Sequence, residues 1–190
     1  MPKHTPILAA AAAFSLAAAW AADLPRKAPE LAISLNGGKQ VLLSQYRGKV
    51  VVVCFILTTC PHCQKTIGFL IKDQNDFGPR GFQVLASAIQ EDAQAAVPGF
   101  IQVYNPPFPV GFSGAASAIE WMEHPPALIP HMPLLAFVDR QGMIRAQFEG
   151  DNEQFFGDHQ EQNLRDQIEG LLKEAPSAKK ISPRKSTAPK

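Results

Sequence analysis

An uninterrupted apolar run, VVVVCFIL, occupies residues 50–57 and is followed closely by two cysteines, Cys60 and Cys63. Valine and isoleucine favour strands, because their branched side chains pack well on a pleated surface. A strand that has no polar face must be buried on both sides, which happens in the middle of a sheet covered by helices. The run therefore predicts an α/β protein whose central strand ends just before the cysteine pair.

Strands and helices are expected to alternate along residues 28–173, which we predict to form one domain. Apolar segments bounded by turn residues predict strands at 31–35, 41–43, 82–89, 134–138 and 143–148, with a short extended piece at 108–110. Helical periodicity predicts helices at 61–77, 92–104, 115–122 and 160–173. The first two strands flank an Asn-Gly turn, which indicates a hairpin. The predicted fold is a mixed central sheet flanked by helices, with an N-terminal β-hairpin.

The two ends of the chain differ from this middle part. Residues 1–21 combine a basic start, an apolar alanine-rich run and the ending Ala19-Trp20-Ala21, which is typical of a cleaved signal peptide. An uncleaved anchor is the alternative, and either one places the domain outside the cytoplasm, in the periplasm or the exterior. Residues 174–190 are rich in lysine, proline and serine, which predicts a disordered basic tail.

The charge of the chain separates in the same way. The formal net charge is +1, yet residues 28–172 hold 9 Lys and Arg against 15 Asp and Glu. A near-neutral chain with an acidic domain is not a nucleic-acid-binding protein of the simple basic kind, so no nucleic-acid partner is expected. We expect a monomer that acts on other proteins.

The cysteine pair carries the strongest chemical signal in the sequence. Cys60 and Cys63 are spaced so that a small disulfide can close at the start of the predicted helix, where Pro61 fits the first turn. Helix N-terminal amides favour a thiolate, the form that attacks disulfides. We therefore predict that Cys60 is the nucleophile, that Cys63 resolves the mixed disulfide, and that His62 and Pro61 tune the reactivity.

Two alternatives assign the same residues to other kinds of protein. Structural zinc sites need four ligands and the chain has no second CxxC, so no metal site and no cofactor are predicted. A copper-binding chaperone could instead use Cys60 and Cys63 together with His131. A redox-inert interaction module would keep the dithiol without cycling it.

Three features of the sequence belong together: the segment from Ala28 to Val53, the CxxC that comes after it, and Met132-Pro133 ahead of a strand and a D-x-x-G turn. With them the chain resembles thioredoxin-like extracytoplasmic oxidoreductases of the TlpA/ResA type, in the redoxin/AhpC-TSA superfamily. This resemblance implies a thioredoxin-like fold over residues 28–173 and a cis Pro133 that faces the cysteines. It also implies that Thr59, Met132 and Pro133 contact the substrate. Protein thiols or disulfides, and a membrane or periplasmic redox protein, are the implied partners.

Three positions depart from the patterns of related proteins. Thr59 replaces a frequent aromatic residue, Cys54 stands where thioredoxins carry a buried aspartate, and Thr66 stands where ResA-like proteins often carry glutamate. We expect Cys54 to be a core residue, because a free cysteine packs as a small hydrophobic side chain. The CPHC segment matches that of the oxidant DsbA, whereas its surroundings resemble those of reductants. The direction of electron flow is therefore left open.

Overall fold

The computed structural model describes residues 23–174, and the predicted signal segment and all of the predicted basic tail except Glu174 lie outside them. Within this range eight strands form one mixed sheet, in the order β1-β8-β7-β4-β5-β6-β2-β3. The strands are β1 (Arg26–Lys27), β2 (Ala32–Ser34), β3 (Gln40–Leu42), β4 (Val50–Ile56), β5 (Phe82–Ala88), β6 (Val110–Phe112), β7 (Leu134–Val138) and β8 (Met143–Glu149).

Five α-helices and two short 3-10 helices complete the described part of the chain. They are α1 (Pro61–Phe77), α2 (Ala93–Tyr104), α3 (Ala115–Trp121), α4 (Glu153–Phe156) and α5 (Gln160–Lys173), with 3-10 turns at Leu43–Tyr46 and Gly78–Arg80. Among residues 23–174, no helix combines the length and the apolar character that crossing a membrane requires.

Strand β4 lies near the middle of the sheet, as its apolar run predicts. It pairs in parallel with β5 and antiparallel with β7, so that Val53 lies between Leu85 and Ala136. All seven of its residues are buried. Each fully buried Val, Ile or Phe side chain contributes about 1.5–3 kcal/mol relative to an exposed one, which makes this strand a firm anchor for the cysteine segment at its C-terminal end.

The two faces of β4 belong to two separate cores. Its even-numbered residues, including Cys54, pack with apolar residues of α1, α2 and α5. Its odd-numbered residues, including Phe55, pack with the N-terminal strands and with Trp121 at the end of α3. The sheet is thus covered on both sides, and the CxxC segment leaves β4 at the edge where α1 begins.

The predicted fold class is confirmed, including the N-terminal hairpin, in which Ile33 lies opposite Val41. One strand and one α-helix were not predicted from the sequence, and neither were the two 3-10 turns. Strand β1 has only two residues, both basic, and is defined by its pairing with the edge of β8. Helix α4 is a single turn that Asn152 caps by accepting a hydrogen bond from the amide of Phe155. Both are too short to produce a periodic pattern.

Candidate active site

Cys60 caps the N-terminus of α1. The chain leaves β4 at Ile56, turns back so that the Cys60 amide donates to the Leu57 carbonyl at 3.1 Å, and enters the helix at Pro61. The Cys60 Sγ accepts a hydrogen bond from the Cys63 amide at 3.4 Å. The sulfur thus takes the place of a helix-capping oxygen and faces the positive end of the helix dipole.

The two thiols differ sharply in exposure. Cys60 is partly exposed, whereas Cys63 is 0% exposed and belongs to the core beneath α1. Burial raises the pKa of the Cys63 thiol well above its ordinary value, the Leu57 backbone opposes this shift, and the neighbouring Cys60 sulfur adds to it. An incoming thiol or disulfide can therefore reach Cys60 but not Cys63.

Cys54 is a core residue, as expected. It is fully buried on the face of β4 that packs against α1. Burial raises the pKa of its thiol, and the nearby Cys63 raises it further. All three cysteines are free thiols in this structure, and Cys54 lies beneath the reactive pair as a neutral apolar group.

Two glutamines hold the loop between β4 and α1. The Thr58 amide donates to Gln90 Oε1 at 3.2 Å, and Gln90 Nε2 donates to the Thr58 hydroxyl. Gln64 Nε2 donates to the Thr58 carbonyl at 2.9 Å. Sequence reasoning missed both residues. Gln90 comes shortly after β5, and the parallel pairing of β5 with β4 is the signal that could have found it.

The residues between and after the cysteines have unequal surroundings. Pro61 and His62 are exposed. The Thr66 hydroxyl donates to the His62 carbonyl at 2.8 Å and accepts from Gln160 Nε2 at 2.7 Å. Thr66 and Gln160 are both buried, and their hydrogen bond joins α1 to α5. ResA-like proteins often have a carboxylate at the position of Thr66.

The Met132–Pro133 peptide is cis, as the resemblance implies. Leu134, the next residue, pairs with Phe55, so Pro133 lies at the edge of the sheet from which the CxxC segment leaves. Pro133 is buried and Met132 half-buried, while Thr59 is exposed. Sequence reasoning also missed Gly150, whose amide donates to the His131 carbonyl at 2.8 Å and whose α-carbon packs against the Met132 carbonyl.

His131 does not join the cysteines. Its Nδ1 lies 3.4 Å from Asp151 Oδ2. Among residues 23–174, the group of three or more metal-ligand side chains that lie close together consists of His131, Glu149 and Asp151. The geometry therefore gives no support to a copper site built from Cys60, Cys63 and His131.

Comparisons with known proteins agree with the fold and with a thiol-disulfide oxidoreductase. A family model described as Redoxin matches residues 25–168. The thiol-disulfide oxidoreductase ResA of Bacillus thuringiensis (strain Al Hakam) is 24% identical over 172 residues, covering 88% of this chain and 90% of that protein. ResA of Bacillus subtilis (strain 168) is 30% identical over 83 residues, covering 44% and 46%.

Solved structures give the same picture. A putative thiol:disulfide interchange protein DsbE from Chlorobium tepidum has a TM-score of 0.66 at 23% identity, covering 78% of this chain and 96% of that one. A putative protein disulfide isomerase from Bacteroides thetaiotaomicron has a TM-score of 0.64 at 25% identity, covering 79% and 90%. The thioredoxin-like fold implied by the sequence is confirmed.

Proposed function

The chain belongs to the Redoxin family and is a thioredoxin-like thiol–disulfide oxidoreductase, and we propose that it is exported and exchanges disulfides with protein substrates through Cys60 and Cys63. The observation that carries the proposal is the unequal exposure of two thiols at the start of one helix. One thiol is placed to meet a partner, and the other is placed to meet only the first.

Reduction of a substrate then takes two displacements. The Cys60 thiolate attacks one sulfur of the substrate disulfide, forming a mixed disulfide and releasing the other sulfur as a thiolate. Cys63 next gives up its proton and attacks Cys60 Sγ, which breaks the mixed disulfide and releases the second substrate sulfur. The products are a Cys60–Cys63 disulfide and a dithiol substrate, two electrons having passed to the substrate. Oxidation of a dithiol takes the same steps in reverse.

The first displacement prepares the second. In the reduced enzyme the Cys60 sulfur is one cause of the raised pKa of Cys63. Bonding to the substrate removes negative charge from that sulfur, and Cys63 then loses its proton more easily. Cys54 and Thr66 occupy the positions where related proteins carry carboxylates. The departing substrate thiolate, formed in the first step, takes up the Cys63 proton.

The remaining predicted residues are assigned to substrate contact and tuning. Thr59, which is exposed and adjoins Cys60, is assigned to one side of the bound substrate. Met132 and Pro133, at the same edge of the sheet, are assigned to the other side, with the Met132 backbone pairing with the substrate chain. Pro61 and His62 adjust the stability of the Cys60 thiolate. The enzyme acts as a monomer outside the cytoplasm, and a membrane or periplasmic redox protein restores its starting state.

The test compares the purified protein with two variants, each of which replaces one cysteine, in insulin-disulfide reduction and in dithiol oxidation. Cys60→Ser should lose both activities, whereas Cys54→Ala should keep them because Cys54 has no part in the exchange. Full activity of Cys60→Ser would contradict the proposal. The reduction potential of the pair then assigns the direction of electron flow, since a value of about −120 mV marks a DsbA-like oxidant and one of about −270 mV a thioredoxin-like reductant.

A further inference from the structure

We propose that His131, Glu149 and Asp151 bind a divalent transition-metal ion of the Zn²⁺ type beside the Met132–Pro133 loop, and that His124 holds Glu149 in position. The four residues come from two parts of the fold. His124 and His131 belong to the proline-rich segment at 123–133, and Glu149 and Asp151 lie at and just beyond the end of β8. Local spacing in the sequence does not reveal the group, because the fold brings its two halves together.

The spacing of the ligand atoms suits a tetrahedral ion. One ligand atom from each of His131, Glu149 and Asp151 lies within 4.8 Å of the other two. Bonds of about 2.0–2.2 Å to nitrogen and oxygen place neighbouring ligands of a tetrahedron roughly 3.4 Å apart. One pair already has that separation, His131 Nδ1 and Asp151 Oδ2 at 3.4 Å. The Glu149 carboxylate would close on this pair, and a water molecule would take the fourth position of the tetrahedron.

His124 provides an independent observation. Its side chain is only 3% exposed, and its Nε2 lies 3.3 Å from Glu149 Oε2. Carboxylates that bind a metal are usually held by hydrogen bonds from outside the group of ligands, and these contacts fix their orientation. His124 is placed to hold Glu149 in this way.

The surroundings leave room for an ion and favour its charge. His124, Glu149 and Asp151 line a cavity of about 320 Å³. Glu123 lines the same cavity but is engaged by Arg26, with Arg26 Nε 3.3 Å from its carboxylate, and we do not count it as a ligand. Imidazole nitrogen together with carboxylate oxygen is a donor set that suits Zn²⁺ and its first-row neighbours, whereas Ca²⁺ and Mg²⁺ prefer oxygen alone.

Bound metal would fasten the proline-rich segment to the end of β8. His131 directly precedes Met132, and the amide of Gly150, which lies between Glu149 and Asp151 in the chain, already donates to the His131 carbonyl. The ion would therefore hold the loop that forms one wall of the disulfide-exchange site. Metal and thiol chemistry remain separate, because no cysteine belongs to the metal-binding group.

The competing explanation is a pair of histidine–carboxylate contacts that need no metal, and calorimetric titration with Zn²⁺ separates the two. The full chain carrying Cys60→Ser and Cys63→Ser is used, so that neither thiol competes for the ion. It should bind one Zn²⁺, and His131→Ala and Asp151→Asn, made in the same background, should each weaken binding by about 10-fold or more. Both positions are exposed, and far-UV circular dichroism checks that each variant is folded.

His159→Ala and Asp158→Asn are the matched controls, because both residues are exposed and lie outside the group of ligands. They should bind Zn²⁺ within about 2-fold of the parent. Absence of Zn²⁺ binding by the parent would overturn the proposal. Unchanged affinity in either the His131 or the Asp151 variant would do the same. Because the parent in this titration lacks both catalytic thiols, its result leaves the proposed oxidoreductase function untouched.

Discussion

Adding one methyl group at Gly150 should damage both the stability and the activity of the enzyme. A β-carbon at that position would lie 2.2 Å from the Met132 carbonyl oxygen, 2.5 Å from its carbon and 3.1 Å from the Pro133 nitrogen. All three are backbone atoms, which cannot rotate away as the end of a side chain can. Ordinary contact between such atoms needs about 3.5 Å, so the loop must move by roughly 1 Å.

The size of the effect depends on that displacement. Forcing an extra carbon into a packed site typically costs about 1–3 kcal/mol of folding free energy. We propose that this loop contacts the substrate, and a displacement of roughly 1 Å in such a loop can lower a rate by about 100-fold. The backbone φ of Gly150 is not in the left-handed region, so alanine can adopt it and the whole penalty is steric.

Gly170→Ala is the matched control. Gly170 lies in α5, and a β-carbon there meets no atom within 4 Å. The same chemical change should therefore stabilise the protein by about 0.5–1 kcal/mol, since alanine is favoured over glycine inside a helix. Urea denaturation gives both free energies of unfolding, and insulin reduction gives both activities. If Gly150→Ala matched or exceeded the parent in stability, the steric reasoning would be refuted.

Two further predictions concern the thiols and a buried carboxylate. Iodoacetamide should label only Cys60 in the native reduced protein and all three cysteines after denaturation, because Cys54 and Cys63 are 0% exposed. Mass spectrometry of the peptides measures the labelling of each cysteine. Labelling of Cys63 in the native protein as fast as that of Cys60 would contradict the prediction. Asp73 is 1% exposed, and burial raises its pKa from 3.8 to about 6 although Arg165 opposes the shift. Its folded form holds the proton more tightly, so its contribution to stability is complete below about pH 3.8 and falls by up to about 3 kcal/mol as the pH rises through 6. Asp73→Asn should remove that decline from urea denaturation series, whereas the exposed Asp166→Asn should keep it; a decline that persists in Asp73→Asn would refute the assignment.

Local patterns in the sequence were sufficient for the framework of the fold. The apolar run of β4 predicts a strand buried on both faces, and the periodicity of residues 160–173 predicts α5 with the bounds that the structure gives it. Strand β6 shows where local patterns weaken, since the extended piece predicted at 108–110 begins only at Val110. That three-residue strand is defined by its pairing with β5 and β2, which no local pattern records.

The candidate site divides in the same way. Cys60 and Cys63 are visible in the sequence, because their spacing and the helix start are local features. Gln90 and Gly150 have no local signal, because each acts through a contact with a residue in another element, and Gln90 could be found only from the pairing of β5 with β4. The hypothesis that linked His131 to the cysteines was not supported for the same reason. His131 lies beside Glu149 and Asp151, and these two residues reach it only because β8 runs back toward the loop that contains His131.

The position of β4 between β5 and β7 also determines when the sheet can be completed during synthesis of the chain. Phe55 pairs with Leu134, and Arg26 pairs with Ile144, so both contacts wait for the last third of the protein. Folds dominated by such distant pairings form slowly, because the entropy of closing long loops is lost before the contacts contribute stabilising free energy. Until β7 has been synthesised and has paired with β4, Cys54 and Cys63, which are buried in the folded domain, stay exposed on that side. An oxidant that met the half-made chain would therefore find three reactive sulfurs where the native enzyme presents one.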